Sequence, residues 1–322
     1  MQIGFGIDLG GTTVKLACFN TDGDLLDKWE IPTDKTGNGR NILPDIARSM
    51  REYVTSNKID PDTLVGAGIG VPGPVRPDGS VNGCVNLGWG EKNIEKELSA
   101  LTGLPVKAGN DATVAALGEC WKGSGQGCQN MVLATLGTGI GGGVVIGGRV
   151  ISVIVDGKPV QGVHGAGGEI GHMVLNRSET EVCGCGKRGC VEQYCSATGI
   201  VRIAKQVLSD SREKSALRDI PDLTAKDVFD AAKNGDSLAA EILEQVYCYM
   251  GEFVANICCV TDPEKVVFGG GVSKAGEVLL AGVARHYRKY AFHGCADVEF
   301  SLATLGNDAG AYGAFKLILG EV

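Results

Sequence analysis

The feature that most constrains the fold of this chain is a strand, a turn rich in glycine and threonine, and a second strand, which occur twice. In the first copy, the turn Gly10–Thr13 separates two predicted strands within residues 3–20. In the second copy, the turn at residues 137–143 separates strands within residues 131–146. Backbone N–H groups and threonine hydroxyls in such turns can bind phosphate oxygens. The repetition predicts an internally duplicated architecture with a cleft between its halves.

Each turn taken alone has an alternative interpretation as an ordinary hairpin turn. The pattern differs from a P-loop, in which the glycine turn leads into a helix and ends in GK followed by serine or threonine. Asp8 comes directly before the first turn, where a carboxylate can face a phosphate-bound Mg²⁺.

Strand and helix patterns alternate along the whole chain, which predicts an α/β fold with mixed sheets. Strands are predicted at 64–71, 104–108, 131–136, 265–268 and 298–303, and helices at 41–57, 93–101, 112–122, 198–208, 224–233, 237–259 and 309–319. Residues 83–90 read as an irregular loop. We expect a smaller domain of residues 1–110 plus 307–322 and a larger domain of residues 111–306.

Asn110 and Asp111 stand between the strand at 104–108 and the helix that follows it. Proteins of the α/β class place reactive groups at the carboxyl ends of strands, so Asp111 is a candidate catalytic residue. The alternative is that Asp111 is only the N-cap of the helix.

Three cysteines, Cys183, Cys185 and Cys190, lie close together among glycines. Zinc prefers four ligands in a tetrahedron, and His164 or His172 can supply the fourth. The pattern therefore predicts a zinc site, with buried or redox-active thiols as the alternative.

Two carboxylates flank the predicted metal site in the sequence. Glu169 precedes His172 by three residues, which places both on one face of a helical turn, and Glu192 follows the last cysteine. A metal site that joins His172 to the cysteines would bring both glutamates together. Carboxylates and an imidazole suit a polyhydroxylated ligand, although a single glutamate is more often a solvated surface charge.

Composition excludes several classes of protein. The 322 residues are 43% hydrophobic, enough for a large core, and carry a net charge of −8 without a run of lysine or arginine, which argues against nucleic acid or anionic membranes as partners. No apolar run reaches the roughly 20 residues of a membrane span, and the N-terminal residues lack the pattern of a secretory signal. The twelve cysteines are too few for a disulfide scaffold, so we expect a reducing cytoplasm.

Together these motifs resemble the ROK family of repressors, open reading frames and sugar kinases. The matching motifs are DLGGTT (8–13), ND (110–111), TLGTGIGGG (135–143), EIGH (169–172) and CGCGKRGCVE (183–192). The cysteine box with the upstream EIGH is the specific part of the match. Its continuation QY, followed by SATG (196–199), looks most like the bacterial ATP-dependent glucokinases.

The resemblance implies a duplicated, actin-like and hexokinase-like (ribonuclease H-like) ATPase fold, in which ATP with Mg²⁺ and a sugar meet in the cleft. It implies that Asp111 is the general base and that a structural zinc is bound in segment 172–190. The implied zinc ligands are His172, Cys183, Cys185 and Cys190. The implied sugar ligands are Asn110, Asp111, Glu169, His172 and Glu192. The implied nucleotide-binding residues are Asp8, Gly10, Gly11, Thr12, Thr13, Lys15, Gly137, Thr138, Gly139, Gly269, Gly270 and Gly271.

The resemblance leaves several functions open. We expect phosphorylation of glucose, with N-acetylmannosamine, N-acetylglucosamine, fructose or allose as alternative substrates and polyphosphate as an alternative donor. The first strand is predicted to begin at residue 2 or 3, which leaves no room for the helix-turn-helix of the family's repressors. A sugar sensor without catalysis is the third alternative. On resemblance alone we expect a homodimer or a dimer of dimers.

Overall fold

The computed structural model describes residues 1–150, 153–155, 158–160 and 166–320 of the chain. It confirms the predicted α/β class. Contacts divide the chain into two compact units. The first unit comprises Met1–Gln129, Gly143–Gly168 and Thr304–Val322, and the second comprises Asn130–Gly142 and Glu169–Ala303. Because the first unit contains both Met1–Gln129 and the segment that begins at Thr304, residues far apart in the sequence complete its core.

The strands and helices follow the predicted alternation closely. The strands are β1 (Ile3–Leu9), β2 (Thr13–Asn20), β3 (Leu25–Pro32), β4 (Leu64–Val71), β5 (Ser80–Cys84), β6 (Trp89–Asn93), β7 (Val106–Asn110), β8 (Met131–Leu136), β9 (Ile140–Ile146), β10 (Arg149–Val150), β11 (Val153–Val155), β12 (Lys158–Val160), β13 (Lys265–Gly269) and β14 (Glu299–Leu302). The helices are α1 (Thr36–Gly39), α2 (Ile42–Ser56), α3 (Ile94–Thr102), α4 (Asp111–Lys122), α5 (Glu192–Cys195), α6 (Ala197–Asp210), α7 (Ala225–Lys233), α8 (Ser237–Thr261), α9 (Glu277–Tyr290) and α10 (Ala309–Leu319). None of the helices in the described residues is long and apolar enough to span a membrane.

Two five-stranded sheets share one layout. The first has the strand order β3-β2-β1-β4-β7, and the second has the order β10-β9-β8-β13-β14. In the first sheet β1 is antiparallel to β2 and parallel to β4. In the second sheet β13 is parallel to both β8 and β14. The shared order agrees with the duplication predicted from the repeated turns.

The prediction of an irregular loop at residues 83–90 was wrong. This segment belongs to a hairpin in which β5 and β6 pair antiparallel, with Cys84 opposite Trp89. Val81 and Trp89 are buried, and the Trp89 indole Nε1 donates to the Gly39 carbonyl at 2.9 Å. The hairpin is stable because its apolar side chains pack into the core of the first unit. Gly83, Gly88 and Gly90 interrupt the alternation of apolar and polar side chains, so the sequence pattern did not predict either strand.

Helix α10 packs unusually close to the first sheet and to α4. A Cβ atom on Gly68 of β4 would lie 1.7 Å from the Ala314 carbonyl oxygen of α10. A Cβ atom on Gly313 of α10 would lie 1.5 Å from the Val114 carbonyl oxygen of α4. Since these obstacles are backbone atoms, no side-chain movement can make room for a methyl group. Glycine at both positions is therefore a packing requirement.

We expect Gly313→Ala to lower the free energy of unfolding by about 2–3 kcal/mol, because the methyl group forces α10 and α4 apart. Urea denaturation of both proteins measures the difference. Gly90→Ala is the control: a Cβ atom there meets nothing within 4 Å, so its effect should stay within about 0.5 kcal/mol. Equal stability of Gly313→Ala and the wild type would contradict this account of the helix contact.

Candidate active site and metal centre

The turn Gly10–Thr13 in the first unit is held closed by hydrogen bonds. The Gly10 N–H donates to the Thr13 carbonyl at 3.0 Å. Thr33, beyond the end of β3, donates its hydroxyl to the Gly10 carbonyl at 2.8 Å and its N–H to the Thr12 carbonyl at 2.9 Å. A Cβ atom on Gly11 would meet nothing within 4 Å, so the backbone at this position is open to a ligand. The turn is fixed in shape and accessible, as an anion-binding turn must be.

Asp8 and Lys15 lie beside this turn as partners across β1 and β2. The Lys15 ammonium is 3.9 Å from the Asp8 carboxylate and donates to the Asn307 carbonyl at 3.3 Å. Burial raises the pKa of the Asp8 carboxyl, Lys15 opposes this change, and the charge of Asp111 adds to it. A partly buried carboxylate with a second carboxylate near enough to act on its pKa suits a hard divalent cation such as Mg²⁺.

Asn110 and Asp111 occupy the junction of β7 and α4. The interpretation of Asp111 as the N-cap was wrong, because the N-cap is Asn110, whose Oδ1 accepts from the Thr113 N–H at 3.1 Å. The Asn110 side chain also donates to the Gly73 carbonyl at 3.2 Å. Asp111 is therefore the first residue of the helix, and its Oδ1 accepts from the Ala112 N–H at 2.8 Å.

The Asp111 carboxylate has the properties of a proton acceptor. Its side chain is exposed to solvent, yet the surrounding protein raises its pKa by desolvation. Hydrogen bonds from the Ala112 N–H and the Asn110 side chain oppose this rise. A carboxylate with a raised pKa and a fixed orientation accepts a proton more readily than an ordinary aspartate.

In the second unit, His172, Cys183, Cys185 and Cys190 form one cluster, with all four ligand atoms within 4.8 Å of one another. The Cys185 and Cys190 sulfurs are 3.6 Å apart, and the Cys183 sulfur is 3.8 Å from His172 Nδ1. Zinc–sulfur bonds of about 2.3 Å in a tetrahedron place sulfurs ~3.8 Å apart, so these distances fit a zinc ion. His164, the other histidine considered from the sequence, lies outside the described residues.

The two predicted carboxylates lie near different ring nitrogens of His172. Glu192 Oε1 is 3.5 Å from Nδ1, and Glu169 Oε2 is 3.9 Å from Nε2. Glu192 Oε1 also lies 2.9 Å from the Cys183 sulfur. If Nδ1 binds the metal together with the thiols, Nε2 carries the ring proton and can donate it to a ligand beside Glu169, because the two ring nitrogens have distinct roles.

The loop that carries the cysteines is anchored by charged groups. Lys187 Nζ donates to the His172 carbonyl at 2.7 Å. Arg202 of α6 pairs with Glu179 at 2.8 Å and lies over the Tyr194 ring. Burial alone would raise the pKa of Glu179, but hydrogen bonds from Tyr194, the Glu181 N–H and Arg202 lower it to about 2. Glu179, Tyr194 and Arg202 also line a cavity of about 1050 Å³ in the second unit.

The remaining glycine segments lie at the ends of neighbouring strands of the second unit. Residues 137–139 follow β8. Gly269 is the last residue of β13 and lies opposite Thr135 of the parallel strand β8, and Gly270 and Gly271 follow it. A Cβ atom on Gly270 would lie 2.6 Å from the Leu136 carbonyl oxygen, and the φ of Gly270 is +83°. Parallel strands end at the same edge of a sheet, which is where α/β proteins bind nucleotides.

A cavity of about 510 Å³ adjoins the Thr138 turn within the second unit. It is lined by residues of α6 and of the start of α7 that were not predicted as site residues. They include Thr198, Val201, Lys205, Leu223 and Thr224. The capping box formed by Thr224 and Asp227 is readable in the sequence, but the proximity of this helix start to Thr138 is not.

The duplicated α/β architecture with paired glycine–threonine turns is that of the actin-like ATPase fold, as predicted. The family comparison matches the ROK family over residues 4–321. The chain belongs to the ROK family.

Known relatives cover nearly the whole chain. The chain is 43% identical to a glucokinase of Halalkalibacterium halodurans over 318 residues, which are 97% of this chain and 94% of the relative. It is similar to a ROK hexokinase structure from Thermus thermophilus, with a TM-score of 0.79, 30% identity and coverage of 99% of this chain and 98% of the other. It is also similar to a ROK family glucokinase from Streptomyces griseus in complex with glucose and AMPPNP, with a TM-score of 0.73, 29% identity and coverage of 98% of both chains.

We expect the purified protein to contain about one zinc ion per chain, bound by the four clustered side chains. Cys185→Ser should lose the metal and lower the melting temperature by about 5 °C or more, since each kcal/mol lost shifts it by about 2–4 °C. Elemental analysis and thermal denaturation measure both. Cys259→Ser is the control, because Cys259 is exposed and outside the cluster. A metal-free wild type with the same stability as Cys185→Ser would contradict the zinc site.

Proposed function

We propose that this protein is a glucokinase that transfers the γ-phosphoryl group of ATP to the 6-hydroxyl group of glucose. The observation that carries the proposal is the Asp111 carboxylate, oriented by the Ala112 N–H and with a raised pKa, in a chain similar over 97% of its length to a glucokinase. A sugar hydroxyl is a poor nucleophile, so the reaction needs a positioned base.

Asp111 is the base in the proposed reaction. Its carboxylate accepts the proton of the 6-hydroxyl group as the sugar oxygen forms a bond to the γ-phosphorus. The bond between the γ-phosphorus and the bridging oxygen breaks, and ADP leaves with that electron pair. The hydrogen bond from Ala112 holds the carboxylate in one orientation, which removes the need to reorganise it during proton transfer.

We assign sugar binding to Asn110, Asp111, Glu169, His172 and Glu192. Within the second unit, the side chains of Glu169 and Glu192 are 41% and 21% exposed, so both can still accept hydrogen bonds from a ligand. Two carboxylates and an imidazole suit neighbouring hydroxyl groups of a pyranose ring. The proposed zinc is structural: with four protein ligands it holds His172 in place and takes no part in the chemistry.

We assign the nucleotide to the two glycine–threonine turns and to Gly269–Gly271. The backbone N–H groups of the turns would bind phosphate oxygens, and Mg²⁺ would neutralise the charge of the phosphates. Asp8 would hold that ion, and Lys15, whose ammonium lies beside Asp8, would face the phosphates. The cavity beside Thr138 supports placing the adenine base there, because apolar helix residues line it next to a phosphate-binding turn.

We expect Asp111→Asn to lower kcat by ~10²–10⁴-fold, while glucose still binds, because the amide cannot accept the proton. Steady-state kinetics and calorimetric titration with glucose measure the two effects. Asp45→Asn is the matched control, since Asp45 also lies in the first turn of a helix and its partner is Arg48 on the surface. Wild-type activity should fall as the pH drops through the pKa of Asp111, because the protonated carboxyl group cannot act as a base. The residual activity of Asp111→Asn should not show this fall. A loss of kcat below tenfold would assign the base to another residue.

We expect glucose to have a higher kcat/KM than mannose, fructose, N-acetylglucosamine or N-acetylmannosamine at fixed Mg·ATP. A sugar that lacks or inverts one bound hydroxyl leaves a carboxylate without its partner, which costs about 1–3 kcal/mol. Coupled measurement of ADP release gives the comparison. If fructose or an N-acetylated sugar is preferred, the kinase assignment stands and glucose is the wrong substrate. The donor is tested by measuring glucose 6-phosphate formation with polyphosphate in place of ATP, because that reaction releases a shortened polyphosphate and no ADP.

The other expectations from the sequence stay predictions. They are a location in the cytoplasm, no binding of nucleic acid or membranes, and a homodimer or a dimer of dimers.

A further inference from the structure

The turn at residues 137–139 is attached to the segment at residues 192–198 by two hydrogen bonds. The Ala197 N–H donates to the Gly137 carbonyl at 2.8 Å. The Thr198 hydroxyl donates to the Thr138 carbonyl at 2.6 Å. Both donors lie in the first turn of α6. The position of the turn therefore depends on the start of this helix, a few residues after Glu192.

The third residue of the turn faces Glu192 itself. A Cβ atom on Gly139 would lie 2.8 Å from Glu192 Oε2. The other carboxylate oxygen, Oε1, is 2.9 Å from the Cys183 sulfur and 3.5 Å from His172 Nδ1. The carboxylate thus lies between the predicted metal cluster and the bare Cα atom of Gly139.

We propose that Gly139 is a positioning residue for the Glu192 carboxylate, so that a residue of the phosphate turn sets the affinity for the sugar. The inference rests on the proposed function, which makes Glu192 a sugar ligand. Any side chain at position 139 would occupy the space into which Oε2 points. The sugar would then meet a carboxylate displaced from the place that Cys183 and His172 define.

A substitution at Gly139 should affect sugar binding more than the stability of the protein. The nearest atom is the end of a flexible glutamate side chain. Apart from the chain neighbours of Gly139, Glu192 is the only one of the described residues within 4 Å of the added Cβ. Gly139 has no positive φ, so alanine fits its backbone conformation. The protein can accept the methyl group by moving one carboxylate, and the backbone of the turn can keep its shape. Gly313 differs in this respect, because an added Cβ atom there would collide with the backbone of α4.

The test is glucose binding by Gly139→Ala, measured by calorimetric titration without nucleotide. We expect affinity about tenfold lower than in the wild type, because the displaced carboxylate no longer pairs with its hydroxyl group. Gly90→Ala is the control: Gly90 lies outside the proposed site, and no described residue lies within 4 Å of its added Cβ, so glucose affinity should remain within about twofold of the wild type.

A second comparison tests whether the effect passes through Glu192. Glu192→Asp shortens the side chain by one methylene group and makes room for a methyl group at position 139. In the Glu192→Asp background, Gly139→Ala should lower glucose affinity by less than about twofold further, because the two changes act on one contact. Thermal denaturation should show similar stability for all four proteins.

The outcomes separate this inference from the proposed function. Glucose affinity of Gly139→Ala equal to that of the wild type, or fully additive effects in the double variant, would overturn the positioning role alone. A wild type that binds none of the tested hexoses would overturn the proposed function together with this inference.

Discussion

The first unit depends on the close contact of helix α10 with the sheet and with α4. Glycines let its backbone approach β4 and α4 to distances that exclude a Cβ atom. The same helix supports both carboxylates proposed for catalysis: Gly310 lies directly against Asp8, where a Cβ atom would be 2.8 Å from Cγ, and α4 begins at Asp111. One packed helix thus fixes the end of a strand and the start of another helix.

The second unit holds its site side chains in position by a different means. Its loop at residues 173–191 has little regular structure, so helices and strands do not position its side chains. Instead, three thiols and an imidazole converge, and Arg202, Glu179 and Tyr194 tie the loop to the helices behind it. A metal crosslink suits this task, because it fixes several side chains at once without a large apolar core.

Periodic patterns predicted most of the fold, and contacts between distant residues account for what they missed. β4, β8 and α10 have the bounds read from the sequence, because each is a regular apolar run between clear breaks. The β5–β6 hairpin was not predicted, because glycines interrupt its sequence pattern. At the site, motif resemblance supplied the candidate residues. The capping role of Asn110, the cavity beside Thr138 and the contact of Gly139 with Glu192 depend on tertiary packing, which spacing along the chain does not encode.

Helix α10 follows the whole second unit in the chain, and this order has a consequence for synthesis on the ribosome. Strands β1 and β4 emerge early, but the face that α10 covers stays bare until residues 309–319 leave the exit tunnel. The residues of the second unit can pack meanwhile, since its parts lie together between residues 130 and 303. β1 and β4 therefore stay partly uncovered until α10 has been synthesised. The glycines of these strands present little apolar surface, so the incomplete chain is less prone to aggregation than it would be with bulky side chains at those positions.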